Sequence, residues 1–278
     1  MNKLHSLSEN DIEALSAAAG DDLVMERDGF YVRLADTFHH RSQASLLIER
    51  LYSNRGYSTK KTIDPHTHDA NILTMIASTH DQLIGTLSVG IDSPQGLLAD
   101  ELYCAEIDEY RKAGRSVGEF SKLAVDSELS SKEVLASLFH LAYIQLGPLL
   151  GITDSFIEVN PRHAPFYKRM LGFRQVGEVR ICPRVNAPAT LLHLDMSYAA
   201  AQILRFGGSK DPRVRSLYSY FFSPDEEAGL VARNREHPLA DRRSKQVDFV
   251  KELLEMRGSP DRRQSVQVEK RVHLELVS

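Results

Sequence analysis

The stretch Gly118-Glu119-Phe120-Ser121-Lys122-Leu123-Ala124-Val125-Asp126 constrains this chain more than any other. Small and apolar residues run through it, as in a central strand, yet a glutamate and a serine–lysine pair sit in its middle. A charge inside a buried strand is costly unless it is paired or used. The plainer reading is simple alternation, with Glu119 and Ser121 on a wet face. Successive side chains of a regular strand face opposite ways, so Lys122 points away from Glu119 and Ser121. It joins them in one pocket only across a bulge.

The rest of the chain reads as a mixed α/β pattern around one sheet. Ser8 to Gly20 has the look of a capped short helix, Gly29–Leu34 of a strand, and Phe38–Asn54 of a helix with Ala44, Leu47, Ile48 and Leu51 on one face. Asn71–Ala77 and Leu83–Gly90 form a hairpin. Leu97–Lys112 has helical spacing. A long helix is expected from Ser130 to Leu149, opened by the cap pair Ser130 and Glu133. Ser155–Val159 reads as a strand, Arg162–Leu171 as a short helix stopped by Gly172, and Phe173–Val176 and Ala189–Met196 as strands. We expect one domain over residues 1–198. Residues 199–278, rich in charge of both signs, form a mostly helical C-terminal extension, with helices near Arg213–Phe222, Pro224–Arg235 and Asp241–Arg257 and a late strand over 266–276.

A net charge of −4 argues against bulk nucleic-acid binding, which needs a basic footprint. Two cysteines, Cys104 and Cys182, build no disulfide framework and fit a reducing cytoplasm. No apolar segment is long enough to span a bilayer. Asp64-Pro65-His66-Thr67-His68-Asp69 carries metal-ligand types, but no distant ligand set completes a site, so no metal is expected. There is no Gly-x-Ser-x-Gly elbow of a hydrolase.

Three pieces of the chain, within Phe38 to Met196, resemble the GCN5-related N-acetyltransferase (GNAT) superfamily, and within it the long-chain N-acyl amino acid synthases. They are Arg41…Leu47-Ile48-Glu49-Arg50-Leu51-Tyr52…Gly56-Tyr57, the Gly118–Val125 strand, and Val159-Asn160-Pro161-Arg162-His163…Phe166-Tyr167-Lys168-Arg169…Leu171-Gly172-Phe173. The strand is similar to the Glu-x-Ser-Arg/Lys pattern shared with acyl-homoserine-lactone synthases. Two departures stand out. Lactone synthases have an arginine where this chain has Gly85-Thr86. The turn after the central strand, Asp126-Ser127-Glu128-Leu129-Ser130-Ser131, lacks the glycines whose N–H groups hold the CoA pyrophosphate, and its carboxylates would repel that group.

The resemblance implies a GNAT-like fold, a mixed central sheet with flanking helices. It also implies an acyltransferase that moves a long fatty acyl chain from acyl carrier protein to the amino group of an amino acid. A short acyl-CoA user and a lactone-synthase-like enzyme are the alternatives. No cofactor is expected beyond the acyl donor, and the acidic carrier protein is expected rather than CoA. Arg162, Lys168, Arg169, Arg174, Arg180 and Arg184, against Glu178 alone, offer it a docking face. The lipid product implies a peripheral membrane contact. Glu119 is the expected base, since an ammonium must lose a proton before it attacks a thioester. Tyr167 stands where the family places a tyrosine near the thioester sulfur. Ser121, Lys122, Leu123, Val125, Arg162, His163 and Arg50 are the expected substrate contacts, with Arg162 or Arg50 for a carboxylate.

Overall fold

The computed structural model describes residues 23–35, 37–57 and 71–236. The expected N-terminal helix, the Asp64–Asp69 loop, the Asp241–Arg257 helix and the late strand lie outside the described residues.

Among the described residues nine strands form one sheet. They are β1 (Leu23–Arg27), β2 (Phe30–Leu34), β3 (Ile72–Ser78), β4 (Leu83–Ile91), β5 (Val117–Val125), β6 (Asp154–Val159), β7 (Arg174–Gln175), β8 (Arg180–Cys182) and β9 (Ala187–Asp195). The order is β1-β2-β3-β4-β5-β6-β9-β7, with β8 pairing β9 off that path. Only β5 and β6 run parallel; the other pairs are antiparallel. A parallel neighbour needs a crossover, and the long helix between β5 and β6 supplies it.

Two helices, α1 (Phe38–Ser53) and α2 (Asp100–Lys112), bury apolar residues against one face. Ala44 of α1 packs with Ile76 and Ala35, and Tyr103 and Ile107 of α2 pack with Val117, Phe156 and Leu191. The other face carries α3 (Lys132–Ile144), which runs on through a π turn (Gln145–Leu149) containing Pro148, and α4 (Ala164–Leu171). Phe120, Leu87 and Val89 point into that second core with Leu138, Phe139 and Tyr167. Gly172 takes φ 79° and closes α4, a left-handed stop that a side chain would strain.

Residues beyond Ser197 do not all follow the expected helices. Met196–Phe206 is a helix, α5, capped by Asp195, whose Oδ1 accepts from the Ser197 and Tyr198 N–H groups. The segment expected as a helix over Arg213–Phe222 is instead irregular, with one 3-10 turn at Leu217–Tyr220. Its apolar residues have no helical face to fill; Leu217, Tyr218, Phe221 and Phe222 all plug the main core. Helix α6 (Pro224–Glu236) forms as expected. Among the described residues no helix is long and apolar enough to cross a membrane.

Candidate active site

The β5–β6 ladder runs from Val117↔Asp154 to Phe120↔Ile157 and stops. Beyond it the two parallel strands splay apart. A cavity of about 780 Å³ fills the gap and extends beneath α1, within the roughly 300–1,000 Å³ usual for small-molecule sites.

Glu119 is 3% exposed and lines this cavity. Its Oε1 accepts from the Leu98 N–H at 2.9 Å and its Oε2 from the Ala99 N–H at 3.1 Å. These N–H groups belong to the turn that opens α2, so the carboxylate sits at the positive end of a helix. Burial nevertheless dominates and pushes its pKa up to about 7, against the lowering by both N–H groups. Gly90 lies opposite Glu119 on β4, where an added Cβ would stand 2.7 Å from Glu119 Cγ. The glycine is what leaves room for the carboxylate.

The bulge that Lys122 needs is present. Ser121 pairs with Ser88 and Ala124 with Thr86, so Lys122 and Leu123 together face Leu87 alone. Lys122 adopts φ 51°, the left-handed region. The extra residue resets the alternation: Lys122 lines the cavity with Ser121, and Leu123 and Val125 pack against the α3 core while also lining the cavity. Ser121 Oγ is buried without a hydrogen-bond partner, an unmet group at the splay.

Tyr167 lines the cavity from α4, its ring edge-on to Phe139 and Phe173, and burial pushes its pKa well up. Tyr52 of α1 donates to the Leu123 carbonyl at 3.2 Å, and burial raises its pKa to about 12. Sequence reasoning did not single out Tyr52 as a site residue, because it reads as one more apolar position on α1. His163 lines the cavity, its pKa lowered by burial and by the Arg162 charge.

Two expected carboxylate ligands are placed elsewhere. Arg162 is exposed outside the cavity lining; it donates to Tyr57 Oη at 2.8 Å and to His163 Nε2 at 3.2 Å. Arg50 pairs with Asp126 at 2.8 Å and does not line the cavity. That pair alters the expectation for the following turn. Asp126 is not a bare charge, since its Oδ1 also accepts from the Glu128 N–H. Ser130 turns back to the Asp126 carbonyl, and Ser131 takes the N-cap of α3 in place of Ser130. Ser127, Ser130, Ser131 and Lys132 all line the cavity.

A hairpin of β8 and β9 forms the wall facing Glu119, contributing Cys182, Arg184, Val185, Ala187, Pro188 and Ala189. Arg184 donates to Glu158 at 2.7 Å, to the Leu98 carbonyl at 2.9 Å, and to Glu101. Arg180 is bound to Glu106. Two of the expected docking cations are thus held by acids of the protein itself. Arg162, Lys168, Arg169 and Arg174 remain on the surface.

Comparison with known proteins agrees with this geometry. The family model of the N-acyl amino acid synthase FeeM matches residues 43–195. The structure of FeeM, an N-acyl amino acid synthase from uncultured soil microbes, is 26% identical, with a TM-score of 0.56 over 62% of this chain and 93% of that one. Escherichia coli ElaA is 10% identical, with a TM-score of 0.44 over 60% of this chain and 99% of its own. An acyl-CoA N-acyltransferase from Pseudomonas aeruginosa is 13% identical, at 0.41 over 59% and 97%. No curated protein sequence matches the chain.

Proposed function

The chain belongs to the N-acyl amino acid synthase FeeM family, and from that premise we propose that it transfers a long-chain fatty acyl group from acyl carrier protein to the amino group of an amino acid. The observation that carries the reading is Glu119. It is a buried carboxylate with pKa about 7 on the floor of a cavity opened by splayed strands.

The acceptor ammonium gives a proton to Glu119, and the free amine attacks the thioester carbonyl carbon. The β5–β6 ladder stops at Phe120, and the splay past it opens the edge of β5 where the oxyanion sits. The carbon–sulfur bond then breaks, the leaving thiolate takes the Tyr167 phenol proton, and the phenolate takes the second proton of the attacking nitrogen, which restores Tyr167 and leaves a neutral amide. Burial keeps that phenol protonated until it is needed. Ser121 Oγ, lacking an internal partner, is placed to hydrogen-bond substrate. Ala44, Ile48, Ile72, Val125 and Leu135 give the cavity an apolar reach for an acyl chain. The glycine-free turn and the exposed cations Arg162, Lys168, Arg169 and Arg174 favour an acidic carrier protein.

A second reading, a CoA donor, is favoured by one observation. Arg50 neutralises Asp126, and Ser127, Ser130, Ser131 and Lys132 face the cavity near the N-terminus of α3. The purified protein is offered acyl carrier protein and CoA bearing the same long acyl chain, with a panel of amino acids, and products are read by mass spectrometry. N-acyl amino acids from the carrier protein, at higher kcat/KM than from CoA, are expected. Equal or better use of CoA overturns the donor assignment. No amide product from either donor overturns the reaction.

A further inference from the structure

The reaction uses Glu119, but a second carboxylate stands across the same gap. Glu119 registers with Phe156 on β6, and Glu158 lies two residues further along. Alternation therefore puts Glu158 on the same face of the sheet as Glu119 and Ser121. In a continuous ladder Ser121 would pair with Glu158; the splay separates them, and both line the cavity.

Glu158 is held in place. Arg184 Nη2 donates to its Oε2 at 2.7 Å, and Arg184 Nη1 donates to the carbonyl of Leu98 at 2.9 Å. The N–H of the same Leu98 binds Glu119. One residue's backbone thus ties both carboxylates to a common frame. Glu101 also binds Arg184, so two acidic side chains share one guanidinium and Glu119 stands beside them on the Leu98 and Ala99 N–H groups. Such a cluster suits a cation and opposes a second anion.

Resting on the proposed function, we infer that Glu158 holds the acceptor's ammonium beside Glu119, the two carboxylates dividing the work of binding the amine and taking its proton. The acceptor's own carboxylate is repelled from these acids and points along the cavity toward Lys122 and His163, which also line it. A substrate in which a hydroxyl replaces the ammonium loses the attraction.

The test compares binding of proteinogenic amino acids and of their α-hydroxy acid analogues to the full chain by calorimetry. It adds steady-state KM values for acceptor and donor. The wild type is expected to bind the amine at least about tenfold tighter than its hydroxyl analogue, as loss of a charge-assisted bond implies. Glu158→Gln is expected to abolish that preference and raise the acceptor KM, with the donor KM unchanged. Glu158→Asp is expected to restore part of it. Equal wild-type binding of amine and hydroxyl forms overturns the assignment whether or not the variants fold. So does a Glu158→Gln protein that keeps the preference, or one whose two KM values rise together. Binding is read without turnover, so a wild type that discriminates the amine but makes no amide refutes the reaction and leaves this site standing.

Discussion

A carboxylate with pKa about 7 has two consequences that share one cause. The folded protein keeps the Glu119 proton up to about pH 7, while the unfolded chain releases it near 4.5. Stability therefore falls as pH rises between those values and is level above them. Activity does the reverse, because only the ionised group accepts a proton. We predict that kcat/KM climbs with pH to a plateau above about 7, and that Glu119→Gln lowers the plateau by about 10³-fold and flattens the climb. A pH–rate profile with its limb near 4.5 would remove Glu119 from the reaction. Gly90 offers a gentler test. Gly90→Ala sets a methyl 2.7 Å from Glu119 Cγ and forces the carboxylate off its two N–H donors. The expected loss in kcat/KM is about 10²-fold, the scale of a misplaced catalytic group. The far-UV circular dichroism spectrum should be unchanged.

Elements decide how much of this was readable beforehand. The β3–β4 hairpin, β5, β6 and the long helix between them follow from periodicity and turn residues, and so does Glu119 as an oddity in its strand. The bulge at Lys122 does not. Nothing in Ser121-Lys122-Leu123 announces a left-handed residue, because glycine is the usual sign and lysine stands there. Strand β1 and the short β8 were also missed. Arg180-Ile181-Cys182 shows no clear alternation, and the hairpin is fixed from outside by Arg180–Glu106, Arg184–Glu101 and the Tyr103 hydroxyl, which donates to the Ala189 carbonyl at 2.8 Å. Long-range pairs of this kind leave no local pattern, which is why Arg184 reads as a docking cation and Glu158 as one more residue of its strand. The bulge has its own test. A non-glycine residue in the left-handed region costs about 1 kcal/mol. Lys122→Gly should therefore keep or raise the melting temperature while lowering acyl transfer, because it removes a cavity cation and loosens β5. A melting temperature that drops with full activity retained would show the bulge to be structural only.

At the scale of the molecule, the cavity is braced by a helix buried on every side. From Val134 to Ile144, with Leu135 alone less enclosed, α3 is buried. The sheet covers one side and the 3-10 turn with α6 covers the other. A helix apolar all round needs such a double cover. His140 ties the outer cover on. Its Nδ1 accepts from the Phe222 N–H at 2.9 Å, so the proton sits on Nε2 and is donated to Glu227 at 2.9 Å. The ring stacks between Phe221 and Phe222. Burial lowers its pKa against the opposing pull of Glu227 and Glu226, with Arg27 lowering it further. The unfolded chain takes up this proton near pH 6.5 and the folded chain does not. The contribution is fully present above about 6.5 and is lost as pH falls below it. His140→Phe preserves the stack but strands the Phe222 N–H, at a cost of about 1–3 kcal/mol at neutral pH. It also removes the titrating group. The gap in melting temperature between wild type and His140→Phe should therefore narrow as pH drops from about 7.5 to about 5. A constant gap over that range would mean that His140 is not held neutral in the fold.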